Sequence, residues 1–450
     1  MSRPARHALF AIAVIALVGL IAWFGFVAQP GPMAFAGGAR VSLADYRGHN
    51  PTGLPDSLAG ASLVARGEYL ARAADCAVCH TAPGGGLFAG GLAIRTPFGT
   101  LYSPNITPDR ETGIGQFTDA DFLRVLHRGV MPDGTRLYPA MPYDAYTYMT
   151  DADALAIKAY LFSLAPVHAV IPRDTLAFPY NQRWLMAVWQ ALYDPDTRFE
   201  PRSDRSAQWN RGAYLAEALA HCGDCHTPRN RLQALANRDK FSGAVAAGWR
   251  AYDITADDHS GIAAWSDAAL TRYLATGHAE DHGTASGTMG EAVDHSLSYL
   301  APADIQAIVA YLRTVPAVSS PGEPEVRMSP ASASHREGVQ AGFDPLGKQV
   351  FEGTCVSCHS WSGRSLLNSY ATLIGARAVN DPSATNVAQI VISGTRRSSA
   401  DGLVTMPAFG GAYSDVEIAA VANYVTERFG AAASSVRPHE IALLREQTSQ

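Results

Sequence analysis

Three pentads of one design hold every cysteine in the chain: Cys76 to His80 (CAVCH), Cys222 to His226 (CGDCH) and Cys355 to His359 (CVSCH). Two thiols three residues apart, followed at once by an imidazole, admit three chemistries. A closed zinc site needs four ligands, usually two such pairs inside one small domain, yet each pair here stands well over a hundred residues from the next. A redox dithiol is expected near a βαβ pattern, which is absent, and has no use for the adjacent histidine. Covalent attachment of haem c uses all three positions, because two thioether bonds fix the porphyrin edge and the next residue presses its imidazole onto the iron. Three copies that exhaust all six cysteines point to the haem reading. It makes Cys76, Cys79, Cys222, Cys225, Cys355 and Cys358 the attachment points of three haem c groups, with His80, His226 and His359 as proximal ligands.

A sixth ligand is sought among the methionines. Met141 in YPAMPY, Met289 in SGTMGE and Met406 in VTMPAFG follow the three pentads at comparable places, each in a Pro- or Gly-flanked loop before a predicted helix. A lone methionine is ordinarily core filler, but three at equivalent places predict ligation of iron. His127, His278, His282 and His295 are the competing donors, with surface or packing histidine as the ordinary reading of each; His282 and His295 bracket Met289. His/Met ligation fills both axial positions and raises the reduction potential, which suits one-electron transfer and leaves no open site for substrate. No G-x-S-x-G, phosphate loop or H-E-x-x-H is present, so no separate catalytic residues are predicted.

The elements that must position these residues repeat along the chain. RGEYLARAADCAVCHT from Arg66 matches RGAYLAEALAHCGDCHT from Arg211, and GKQVFEGTCVSCHS from Gly347 is a looser third copy. Apolar residues at helical spacing precede each pentad, placing the cysteines at a helix end. NITPDRETGIG from Asn105 is echoed by DITADDHSGIA from Asp253. A final helix is predicted after each methionine, opened by Thr150, Ala301 or Ser414 with an acidic residue close behind. Strand signals are weak, so the unit reads as helix, pentad, loop, helix, methionine loop, helix.

Composition adds an address and excludes a partner class. A net charge of −6 over 450 residues, with scattered Lys and Arg, gives no sign of nucleic-acid binding. Residues 8–27 form an uncharged apolar run behind Arg3, Arg6 and His7, long enough to cross a bilayer as a retained anchor with the rest of the chain exported. The competing expectation is a cleaved signal, since AFAG at Ala34 to Gly37 has the small-x-small pattern of a cleavage site.

The stretches RGEYLARAADCAVCHTAPGGGLFAGGLAIRTPFGTLYSPNITPDRETGIG, DGTRLYPAMPYDAYTYMTDAD and FPYNQRWLM, with the later pentads in order, resemble the tri-haem cytochrome c subunits of membrane-bound bacterial dehydrogenases acting on alcohol, gluconate, fructose or sorbitol, and of molybdenum aldehyde and nicotinate-type enzymes. The likeness runs from about Leu63 to Phe429. It implies that the protein accepts electrons from a flavin, quinoprotein or molybdopterin catalytic subunit and hands them to ubiquinone or another cytochrome, on the periplasmic side of the inner membrane. The expected architecture is all-α: a transmembrane helix at 8–27, cytochrome c domains at 60–166, 205–316 and 342–431, a Trp-rich helical linker at 167–204, a Pro/Ser-rich linker at 317–341 and a polar tail at 432–450. The rival functions are a multihaem reductase or peroxidase with an open iron, and a haem subunit of a terminal oxidase.

Overall fold

The computed structural model describes residues 29–318, 344–399 and 402–448, together with Ile12, Val14, Leu17 and Gly19. Within it each unit is organised by one helix crossing. In unit one, α1 (Leu63–Ala73) leads to the one-turn pentad helix α2 (Cys76–His80), then α3 (Asp119–Arg128), α4 (Tyr143–Tyr146) and α5 (Asp151–Ser163). A short connector helix, α6 (Met186–Tyr193), precedes unit two. That unit has α7 (Ala207–Tyr214), the pentad helix α8 (Gly223–His226), α9 (Asp267–Thr276), α10 (Gly287–His295) and α11 (Pro302–Leu312). Unit three has α12 (Pro345–Val350), the pentad helix α13 (Val356–His359), α14 (Thr385–Ser393), α15 (Asp415–Phe429) and a closing helix α16 (Pro438–Thr448), which packs on α14 and α15.

The first and last core helices of each unit cross where the repeated strings carry glycine. A Cβ on Gly67 would lie 1.9 Å from the Ala156 carbonyl oxygen, on Gly212 1.9 Å from that of Ala307, and on Gly347 2.2 Å from that of Ala420. These are backbone contacts, so no rotamer change relieves them, and only glycine lets the helices approach this closely. The opening helices of units two and three end in a π-helical turn, Leu215–Leu219 and Phe351–Cys355, before their pentads.

Caps explain where the other helices begin. Thr118 accepts from the Asp121 amide and closes a capping box on α3, and Ser414 does the same with Glu417 on α15. Thr150 caps α5 through the Asp153 amide. Ala301 makes no side-chain cap; Pro302 at the first helical position and Asp304 in the first turn start α11 instead.

Two expectations about fold class are corrected. The chain is helix-rich but not all-α: β1 (Ala93–Thr96) pairs antiparallel with β2 (Gly99–Tyr102), β3 (Ala244–Ala246) with β4 (Trp249–Ala251), β5 (His278–Ala279) with β6 (Gly283–Thr284), and β7 (Thr395–Ser399) with β8 (Gly402–Met406). Strands of two to five residues are too short to print a period-two pattern, which is why the sequence reads as loop there. The expected N-terminal transmembrane helix is also withdrawn, since no helix among the described residues is long and apolar enough to cross a membrane. Apolar length is a necessary condition for a span and not a sufficient one. Residues 8–27, apart from the four named positions, lie outside the described residues, as does most of 317–341.

Units one and two share a single buried cluster that runs from Tyr69, Leu70 and Phe122 through Phe199 and Tyr214 to Ile308 and Tyr311. Unit three has its own, built on Phe351, Val387, Ile418 and Tyr424. Between units one and two, polar groups cross over inside that cluster. Tyr69 on α1 donates to Asp304 on α11 (2.6 Å), and Tyr214 on α7 donates to Asp153 on α5 (2.6 Å). Each carboxylate is also paired with an arginine: Asp304 with Arg211 (2.6 Å) and Asp153 with Arg66.

Candidate functional site

Each pentad histidine is held by the same device. His80 Nδ1 lies 2.8 Å from the Pro104 carbonyl oxygen, His226 Nδ1 2.6 Å from that of Tyr252, and His359 Nδ1 2.6 Å from that of Ala371. A carbonyl only accepts, so Nδ1 carries the proton and Nε2 keeps its lone pair for a metal. Burial lowers the pKa of all three imidazoles, against the opposing pull of these carbonyls, and so favours the neutral, ligating form.

Sequence reasoning missed the carbonyl residues, although a signal lay beside two of them. In NIT and DIT the first side chain makes an Asx turn: Asn105 Oδ1 accepts from the Thr107 amide (2.9 Å) and Asp253 Oδ1 from the Thr255 amide (2.7 Å). The middle residue is pinned in parallel, Ile106 to the Phe88 carbonyl and Ile254 to that of Phe241, both at 2.9 Å. The repeated strings therefore fix the carbonyl just ahead of them, at Pro104 and Tyr252. Hairpins β1–β2 and β3–β4 deliver the chain to the same point.

The thiols match covalent attachment better than the alternatives. All six cysteines are free. Burial pushes the thiols of Cys76, Cys79 and Cys222 up to about 12, and those of Cys225 and Cys355 up to about 11. A redox dithiol or a thiolate metal site needs the opposite shift. Among the described residues, no group of three or more His, Cys, Asp or Glu side chains is placed to hold a metal ion. Protonated thiol pairs on one helical turn, beside an imidazole with a free Nε2, form a donor set that fits haem c.

The first two pentads face one another. Tyr146 on α4 donates to the Ala74 carbonyl (2.6 Å), one residue ahead of Asp75, and its ring lies 5.7 Å from the ring of His221. Asp75 and His221, each the residue before a first cysteine, both adopt positive φ, 54° and 35°. The Cys79 thiol is raised further by Asp75, then by Cys225. Helix α10 of unit two touches α2 of unit one, and Glu291 on it adds to the burial that pushes Asp75 up to about 8.

The three methionines occupy different local settings. Met141 sits in a turn before α4, Met289 within α10, and Met406 at the end of β8. Met141 and Met289 pack against the same apolar cluster as Cys76 and Cys222. The loop expected around Met289 is a helix because the sequence after it, GEAVDH, lacks the proline that follows the other two methionines. Of the competing histidines, His127 is buried and lies 3.7 Å from Asp151, with Arg198 and Asp196 as further charged neighbours. His278 bonds Thr284 (2.9 Å) and its ring packs on Tyr370 (4.4 Å); His282 stacks on Trp265 at 3.6 Å. His295 ends α10.

The cytochrome c family profile matches residues 64–165 and 346–428. The chain is 38% identical to the fructose dehydrogenase cytochrome subunit of Gluconobacter japonicus, over 85% of this chain and 82% of that protein. It is 37% identical to the gluconate 2-dehydrogenase cytochrome c subunit of Pantoea cypripedii, over 87% and 92%. The chain belongs to the family of dehydrogenase cytochrome c subunits. A third relative, the cytochrome c subunit of the quinone alcohol dehydrogenase of Gluconobacter oxydans, is 33% identical over 82% of this chain and 79% of that one. Membership carries covalently bound haem c, electron transfer as the task, and a dehydrogenase catalytic subunit as the partner.

Proposed function

We propose that this chain is a tri-haem relay on the periplasmic side of the inner membrane, taking electrons from a dehydrogenase catalytic subunit and delivering them to ubiquinone or a downstream cytochrome. The observation that carries the reading is the threefold recurrence of a pentad whose histidine Nδ1 is bonded to a backbone carbonyl. In this reading Cys76/Cys79, Cys222/Cys225 and Cys355/Cys358 hold the haems, His80, His226 and His359 are proximal ligands, and Met141, Met289 and Met406 are the sixth. The haem supplies reversible one-electron storage when bound. The chain does the rest: carbonyl bonds hold each imidazole in one tautomer, apolar clusters pack against Cys76, Cys222 and Cys355, and the facing first and second pentads shorten the step between those two sites. The uncharged apolar run and its basic flank support an exported location, and the named relatives support the partner.

The test is to express the chain with haem-attachment machinery and count haem per polypeptide by mass spectrometry and reduced-minus-oxidised spectra. Three haems, none binding carbon monoxide in the reduced state, fit the relay. Two haems, or stoichiometric carbon monoxide binding, overturn it in favour of a di-haem carrier or an open-iron reductase. Co-purification with a dehydrogenase subunit, and reduction of a soluble ubiquinone by the complex, test the donor and the acceptor.

A further inference from the structure

One side chain of unit three is built into unit two. Arg397 on β7 is 5% exposed, and its guanidinium reaches four groups of the neighbouring unit. It donates to the carbonyls of Gly277 (3.1 Å), Ala285 (3.3 Å) and Thr276 (3.4 Å), and pairs with Asp294 on α10 at 2.6 Å. The slot is made for it: Gly277 ends α9 at φ 69°, and a Cβ there would stand 1.8 Å from the Arg397 Nη1. The carbonyls at the C-terminus of α9 carry the negative end of the helix dipole, which favours a cation.

The two elements joined by this contact each bear a methionine. Asp294 is five residues beyond Met289 on α10, and β7 pairs with β8, Thr395 lying opposite Met406. The strand that leads to Tyr252 is gripped as well. Asn386 on α14 exchanges two bonds with the Arg250 backbone (2.8 and 2.9 Å) on β4, and the Arg377 guanidinium lies 4.8 Å from the centre of the Tyr252 ring. Tyr252 is the residue whose carbonyl holds His226. Unit three thus touches both the segment whose carbonyl holds His226 and the helix that carries Met289.

Resting on the relay reading above, we propose that Arg397 is a positioning residue that couples the second and third haem sites. It holds α10 and the β7–β8 hairpin in one register, so that Met289 and Met406 are both presented only when unit three is docked. A fork of several donors is required, because a planar guanidinium can serve three carbonyls and a carboxylate together where an ammonium cannot.

The test uses the full haem-loaded chain with Arg397→Met, Arg397→Lys and Asp294→Asn, compared with Met289→Leu and Met406→Leu. The expected result for Arg397→Met is loss of the methionine-to-ferric-iron absorption band at two of the three haems, a downward shift of those two midpoint potentials, and no change at the first. Arg397→Lys should recover part of both signals, and Asp294→Asn should weaken the second-site signal more than the third. Hydrogen exchange at residues 287–295 and 402–406 should quicken in Arg397→Met with or without haem. Should Arg397→Met fail to fold, Asp294→Asn carries the same spectroscopic reading. If the Arg397 and Asp294 variants lower the melting temperature while leaving bands and potentials intact, the residue is merely structural and the proposal is overturned. If Met289→Leu and Met406→Leu are themselves without spectral effect, it is the ligand assignment that fails.

Discussion

Between units one and two, tyrosines cross to the other unit's carboxylates and the apolar cores merge into one. Between units two and three the contacts are mainly polar, a guanidinium to carbonyls and a carboxylate and an amide to backbone, and the third core stays separate. The same glycine-crossed unit has therefore been joined to its neighbours by two different physics. Merged apolar surface is non-directional and makes two units unfold as one, whereas directional polar contacts set a register and leave the partners separable.

The largest test of that contrast is steric. Gly212→Val forces a side chain into the Ala307 carbonyl and should cost about 4 kcal/mol or more, the diagnostic end for single substitutions. Haem should then be lost from units one and two together. Gly347→Val makes the same clash with Ala420 but should empty the third site alone. Haem content resolved by proteolytic mass mapping checks both, and loss confined to unit two would break the shared-core account.

Next in size is the crossed pair. Asp304→Ala strands the buried Arg211 and removes the acceptor of Tyr69, which should cost about 3 kcal/mol. Asp381→Ala removes a longer 3.6 Å pairing with the partly exposed Arg250 across the other interface and should cost about 1 kcal/mol. Denaturant unfolding followed at each core orders the two.

The share of stability that units one and two draw from neutral, buried His127 is lost in acid. Burial, followed by the nearby Arg198 charge, lowers His127 to about 4, against about 6.5 in an unfolded chain. The unfolded state takes up this proton first, so the stability contributed by neutral His127 is full above about pH 6.5 and falls as pH drops toward 4, by of order 3 kcal/mol. His127→Leu should flatten that part of the profile for units one and two, read by thermal melts from pH 7 to 4.5. The smallest effect expected is ionic. Raising salt should weaken the Arg250–Asp381 contact by about 0.5 kcal/mol and leave the crossed tyrosines unmoved, which small-angle scattering and hydrogen exchange at Tyr69 and Tyr214 can separate.

What could be read in the sequence follows from how local each requirement is. The pentads are legible because attachment chemistry needs those residue types side by side, and the capping residues Thr150 and Ser414 are legible because a cap is settled within four positions. The repeated RG strings were visible, but the reason for glycine was not, since the carbonyl it accommodates lies in a different helix. Nothing local in the sequence sets Arg397 apart from Arg396, because its partners come from three separate stretches of another unit. The hairpins escaped for shortness, and Met289 was assigned a loop because its place in the repeat outweighed the helical character of GEAVDH. The 20-residue apolar run reads as an anchor from its length and basic flank, and neither decides its fate.

The crossed tyrosines have a consequence for how this chain can change over time. Tyr69 and Asp304 belong to one unit each, as do Tyr214 and Asp153, so neither half contains the acceptor its own tyrosine uses. That is the arrangement a two-fold homodimer leaves behind when its subunits are fused end to end. A substitution at either tyrosine is then answered only from the other half, and the two halves must drift as a pair.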